Sequence, residues 1–261
     1  MRFVLPFLLA ALASGFLHAE APPIQEWIDE AIKAGGGVVT IPEGEHMLPQ
    51  GLVIKDARKL ALRGVNKERC ILKLQTRQEG QKASDLILIT GACETLEIAN
   101  LTLDAGPESK SVVFVDGNSA PKETRIQDIY VRDCLFQNVR DYAVLFSNAD
   151  ACVVERCSFQ DGSDAIGFIQ GCLKGIARGN QIIRMSSAFH LENSSDCLLD
   201  GNEVRNGDQG VRISSHEADV KPVRHVIRNN GFFNVRLGLQ ITGQAPEPVL
   251  ENNENLVNAS Q

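Results

Sequence analysis

A unit of 22 or 23 residues recurs along the second half of this chain, and no other feature restricts its fold so strongly. The segments "VVERCSFQDGSDAIGF" (153–168), "IARGNQIIRMSSAFHL" (176–191), "LLDGNEVRNGDQGVRI" (198–213) and "VIRNNGFFNVRLGLQI" (226–241) align without gaps. Each opens on an apolar pair and reaches Cys or Asn at Cys157, Asn180, Asn202 and Asn230. An apolar residue follows two later, and a second apolar strand begins nine later at Ile166, Phe189, Val211 and Leu239. The steps are 23, 22 and 28 residues, the last enlarged by the insertion "HEADVKPV" (216–223); Cys134 lies 23 residues before Cys157 and Asn253 lies 23 after Asn230. A repeat of short strands with no helix-length segment cannot bury its apolar side chains alone and must stack on its neighbours. With strands about 4.8 Å apart, equivalent residues pile into ladders.

The Asn/Cys column then reads as a turn position. Asn hydrogen-bonds along such a ladder and accepts unusual backbone angles, whereas Cys134 and Cys157 are small apolar substitutes in it, expected as buried free thiols rather than a cross-rung disulfide. Two residues before each ladder position stand Arg132, Glu155, Arg178, Asp200 and Arg228. Their alternating sign removes the repulsion that stacked like charges would suffer, which suits a structural ladder. The chain has seven Cys and no CxxC pair, so a zinc knuckle has no support.

The opening "MRFVLPFLLAALASGFLHAEA" has one Arg, an apolar run and small residues around Ala19, the pattern of a secretory signal peptide over residues 1–19. No later run is long and apolar enough to span a membrane, so a secreted or periplasmic protein is expected, with residues 20–261 as a single domain. The formal charge is −7, or −8 once Arg2 leaves with the leader, which disfavours nucleic acid as a partner.

On these repeats the chain resembles a right-handed parallel β-helix of the pectate-lyase-like superfamily. The N-terminal part agrees: "IQEWIDEAIKAGGGVVTIPEGEHML" places Ile24, Trp27, Ile28, Ala31 and Ile32 on one helical face before a first strand, and "LALRGVNKERCILKL" (60–74) and "LEIANLTLDA" (96–105) resemble further rungs. The fold class implied is all-β, a right-handed parallel β-helix solenoid with a short N-terminal amphipathic capping helix. No capping helix is evident after "GQAPEPVL", so the last sheet edge calls for shielding by self-association or an irregular tail.

In the strand "SSAFHLENSS" (186–195), Phe189 and Leu191 point inward, so His190 points outward. The same outward column holds Gly167, Arg212 and Gln240, and the next holds Ile169, Glu192, Ser214 and Thr242. In the rung of Cys134 either Val144 or Leu145 fills the first column. The turn before the strand supplies Asp161, Asp164, Arg184, Asp208 and Arg236. Removing a proton beside a uronate carboxylate needs a base and a cation that neutralises the carboxylate. His190 is the candidate base and Arg212 the neutraliser, with Asp164, Glu192, Asp208, Arg236 and Gln240 as orienting or substrate-binding groups. The resemblance implies a similar His and Arg pair in certain mannuronan epimerases and lyases, although their Asp-Pro-His-Asp motif is absent. The expected function is therefore that of an exported polysaccharide lyase or C5-epimerase acting on an acidic polysaccharide.

"DGSDAIGF" (161–168) and "GVRISS" (210–215) are also similar to polygalacturonase segments. Ser163-Asp164 replaces the acidic pair, and neither Asn-Thr-Asp nor Gly-His-Gly occurs, so a hydrolase is the weaker reading. Calcium, usual in the pectate lyase branch, needs several converging oxygens; Asp161, Asp164, Glu192 and Asp208 are spread over three rungs and give it no support. The alternative from another class is a glycan-binding or scaffolding module, consistent with few aromatic platforms beyond Trp27, Tyr130 and Tyr142.

Overall fold

A computed structural model describes residues 22–76, 83–104, 106, 109–216 and 224–257. The leader and most of the 216–223 insertion lie outside the described residues. The repeat folds as the resemblance implies, into a right-handed parallel β-solenoid. One face stacks the strands Gly37–Ile41, Arg58–Gly64, Glu94–Ala99, Ile126–Arg132, Val153–Glu155, Ile176–Arg178, Leu198–Asp200, Val226–Arg228 and Val249–Glu251 in that order, every pairing parallel. The other two faces run together in the long strands Leu135–Ser147, Ser158–Ile169 and Gln181–Glu192, which bend where Asn138, Asp161 and Arg184 adopt positive φ. Inside, identical positions stack on one another: Phe136 on Phe159 with ring centroids 4.7 Å apart, and Phe146 on Phe168 at 5.2 Å. This vertical stacking is how so short a repeat buries its apolar face.

The asparagine ladder is present and buried. Asn202 Oδ1 accepts from the backbone N–H and the side-chain amide of Asn180 at 3.0 and 2.9 Å, and Asn202 Nδ2 donates to Asn230 Oδ1 and to the Ala177 carbonyl, both at 2.9 Å. Asn230 and Asn253 repeat the arrangement, and Asn180 Oδ1 reaches the N–H of Cys157. The left-handed backbone expected at the ladder residue falls instead one position earlier, at Asp133, Arg156, Gly179, Gly201, Asn229 and Asn252. That preceding residue turns the corner, which leaves the asparagine free to aim its amide along the stack. All seven cysteines are free and buried.

The charge ladder also closes. Glu155 is almost fully buried and receives Arg178 at 2.7 Å and Arg156 at 2.9 Å, while Arg228 meets Asp200 at 2.9 Å. Burial alone would raise the Glu155 pKa, and the Arg178 and Arg156 bonds outweigh it and lower it.

At the N-terminal end the helix Ile24–Lys33 buries Ile24 and Ile28 against the solenoid. Its Gln25 side chain pairs with the sheet edge like a short strand, donating to the Val53 carbonyl at 2.9 Å and accepting the Val53 N–H at 2.8 Å. A capped edge of this kind cannot recruit another strand. At the other end, among the described residues, no strand stacks beyond Val249–Glu251, and Leu250 and Val257 are exposed.

Candidate functional site

The outward column is continuous over the whole sheet. Register pairs Val53 with Leu88, Leu88 with Phe114, Phe114 with Leu145, Leu145 with Gly167, Gly167 with His190, His190 with Arg212 and Arg212 with Gln240. This resolves the ambiguous rung in favour of Leu145. The ambiguity arises from one extra residue in the strand Leu135–Ser147, where the register slips between Val139 and Tyr142. The first four positions of the column are apolar and the last three polar.

His190 does point outward, yet it is only 7% exposed. The covering group is Tyr142, two rungs away, whose hydroxyl lies 2.6 Å from His190 Nδ1 with the two rings 13° from parallel. Arg212 Nη2 reaches the same nitrogen at 2.9 Å, and His190 Nε2 faces Glu192 Oε2 at 3.3 Å. An arginine can only donate, so Nδ1 carries the lone pair, the ring proton sits on Nε2 towards Glu192, and the Tyr142 hydroxyl donates to Nδ1. Burial, with help from the Arg212 charge, lowers the His190 pKa to about 4. Burial and the nearby Asp164 carboxylate push the Tyr142 phenol up to about 12. At neutral pH both rings are therefore uncharged.

Asp164 belongs to this cluster but not to the turn in which it was expected. It stands on the strand, opposite Tyr142 and Ser187 in register. Burial raises its pKa against the opposing charge of Arg212. Glu192 and Gln240 also lie where the column places them, and Gln240 Oε1 accepts from Gln209 Nε2 at 2.6 Å.

Asp208 and Arg236 do not join. They form an exposed ion pair at 3.5 Å and line, with Arg184, an open cleft of ≈ 600 Å³ whose walls include neither His190 nor Arg212. Asp161 is held by Arg184 at 2.6 and 2.7 Å on an exposed corner, whereas Asp164 is half-buried beside Tyr142. Among the described residues no group of three or more His, Cys, Asp or Glu side chains could hold a metal ion.

Sequence reasoning missed Tyr142 as a site residue. The signal was present in Gly167, the one position of the column that has no side chain, because a phenol can cross a rung only where nothing rises from it.

The buried imidazoles make acid the weak point of the fold. His225 is 1% exposed, accepts the Cys197 N–H at 3.2 Å, and has its pKa lowered by burial to about 4, as does His190. For a lowered histidine the unfolded chain takes up the proton first. Stability is thus complete above pH ~6.5 and is lost as pH falls towards about 4, by on the order of 3 kcal/mol for each ring. Melting curves between pH 7.5 and 4.5 should show this decline, and a His190→Gln/His225→Gln variant should flatten it. An equal slope in the two proteins contradicts the assignment.

No curated protein sequence matches the chain. Among solved structures, Escherichia coli YbhC is 11% identical with a TM-score of 0.59, covering 97% of this chain and 87% of its own. A hyperthermoactive exopolygalacturonase from Thermotoga maritima is 13% identical with a TM-score of 0.55, covering 88% and 74%. A pectin methylesterase solved with a hexasaccharide is 14% identical with a TM-score of 0.50, covering 82% and 75%. At these identities the likeness is one of fold. Among the described residues no helix is long and apolar enough to cross a membrane. The model of the right-handed β-helix region matches residues 85–256, which includes every member of the Tyr142, Asp164, His190, Glu192 and Arg212 cluster, and the chain belongs to that family.

Proposed function

We propose that the protein acts outside the cytoplasm on an acidic, uronate-containing polysaccharide, removing the proton beside the carboxylate. The observation that carries this reading is the Tyr142 hydroxyl hydrogen-bonded to an unprotonated His190 Nδ1 beside a half-buried Arg212. Arg212 would neutralise the sugar carboxylate through guanidinium donors that its single bond to His190 leaves available. The Tyr142 oxygen would take the carbon-bound proton while its own proton passes to His190 Nδ1, and the electron pair of the broken C–H bond would enter the enolate held by Arg212. Glu192 at Nε2 would stabilise the imidazolium so formed. At rest the phenol pKa of about 12 and the imidazole pKa of about 4 keep the proton on Tyr142, and a uronate carboxylate paired with Arg212 would offset the Arg212 charge that opposes protonation of His190.

One relay on one side of the sugar suits β-elimination, in which the same tyrosine gives a proton to the departing glycosidic oxygen. C5-epimerisation needs a second donor across the ring. We therefore place lyase chemistry first and epimerisation second.

The apolar half of the column favours a further reading from another class. Val53, Leu88, Phe114 and Leu145 form an apolar stripe running into the polar site, suited to hold the C–H faces of sugars without reacting on them. Proton NMR of a panel of uronic-acid polysaccharides incubated with the protein separates these readings. Unsaturated ends support elimination and inverted C5 signals support epimerisation. Spectra unchanged across the panel, with and without Ca²⁺, leave the glycan-binding module.

A further inference from the structure

Tyr142 and His190 are not neighbours in the sheet. Tyr142 pairs with Asp164 and Asp164 with Ser187, so a complete rung lies between the phenol and the imidazole. Two rung spacings of about 4.8 Å separate their strands. To bridge that distance the Tyr142 ring must lie along the sheet, across the middle rung. At the point of crossing, the middle rung presents Gly167, paired on one side with Leu145 and on the other with His190.

A Cβ at position 167 would meet Tyr142 Cε1 at 2.9 Å, Tyr142 Cδ1 at 3.1 Å and Leu145 Cδ1 at 2.7 Å. The Gly167 backbone is not in the left-handed region, so its conformation does not call for glycine. A glycine inside a strand weakens it, since it has no side chain to pack and more freedom to lose on folding. Backbone geometry therefore gives no reason for glycine here, and the space above it does. All three atoms a Cβ would meet belong to side chains that can swing aside, which makes displacement of the ring easier than distortion of the rung.

We propose that Gly167 is a positioning residue, an empty place in the outward column that lets Tyr142 span a rung and close onto His190. The register slip after Val139 is the second part of the device, because it sets Tyr142 over Asp164, three residues before Gly167. Neither part depends on the substrate, so the inference stands separately from the polysaccharide reading.

The test is NMR titration of the His190 imidazole, assigned with His190→Gln, in the protein without any sugar. The groups facing this ring are Tyr142, Arg212 and Glu192, with Asp164 beside the phenol, and all four stay unchanged. In the parent protein His190 should titrate near 4. In Gly167→Ala the phenol is displaced and water reaches Nδ1, so the pKa should rise by one unit or more while the melting temperature stays within about 3 °C. Because crowding of Leu145 could imitate this, Leu145→Ala/Gly167→Ala is the second variant. It removes the closest clash and leaves the two with Tyr142, so the raised pKa should persist. A parent-like pKa in Gly167→Ala, or its recovery in the double variant, overturns the proposal. Should Gly167→Ala fail to fold, the double variant alone decides, by the same comparison with the parent.

Discussion

Asn202→Ala should lower stability by about 4 kcal/mol, seen as a drop of roughly 10 °C in melting temperature. The change does more than remove four hydrogen bonds. It leaves the Asn180 backbone N–H without its acceptor and the Ala177 carbonyl without the Asn202 amide, both in the interior. A buried polar group stranded in this way costs about 1–3 kcal/mol. Asn253→Ala offers a graded comparison. Asn253 is only partly buried and makes three such hydrogen bonds, two with Asn230 and one to the Ile227 carbonyl, so about half the effect is expected. Thermal denaturation followed by circular dichroism measures both. A loss under ~1 kcal/mol for Asn202→Ala would mean that water replaces the ladder at little cost.

Tyr142→Phe is the largest expected effect on turnover. The ring remains to cover His190 and Arg212 still occupies Nδ1, so the melting temperature should barely move. The group that carries the proton is gone, and loss of a positioned acid or base lowers rates by about 10²–10⁴-fold. A thousand-fold fall in kcat with KM near that of the parent is the outcome the relay requires, measured on whichever polysaccharide the NMR panel identifies. A kcat within three-fold of the parent removes Tyr142 from the reaction.

Much of this architecture could be read from the chain because stacking turns sequence spacing into spatial contact. The positions Cys157, Asn180, Asn202 and Asn230 must coincide in space once the strands are parallel and in register, and the same holds for Glu155, Arg178, Asp200 and Arg228. His190 beside Arg212, with Glu192 one step along, followed from that rule. Tyr142 did not, because one extra residue in its rung broke the alignment just ahead of it. The burial of His190 escaped for the same reason, since its cover comes from a residue 48 positions earlier in the chain. Asp208 and Arg236 were grouped with the site on chain proximity to the strand. They lie just past the left-handed corners at Asn206 and Asn234 and are turned towards each other instead.

The ladder also decides how this protein ages. Two asparagines precede glycine, the pairing in which a side-chain amide is lost fastest, because the following N–H must swing onto the side-chain carbon and glycine does not obstruct it. At Asn230 that path is closed: the Gly231 N–H is held by the Asn202 carbonyl at 2.9 Å and the amide is bonded to Leu199 and Asn253. Asn206 before Gly207 is exposed on a left-handed corner. Storage should therefore convert Asn206 first, adding a negative charge to the Arg184 and Arg236 cleft while the solenoid stays intact, an order that peptide mapping reads directly. Heating past the melting point frees Asn230 as well. A carboxylate formed there has no place in the stack on cooling, so a thermal transition reversible after minutes becomes permanent after hours.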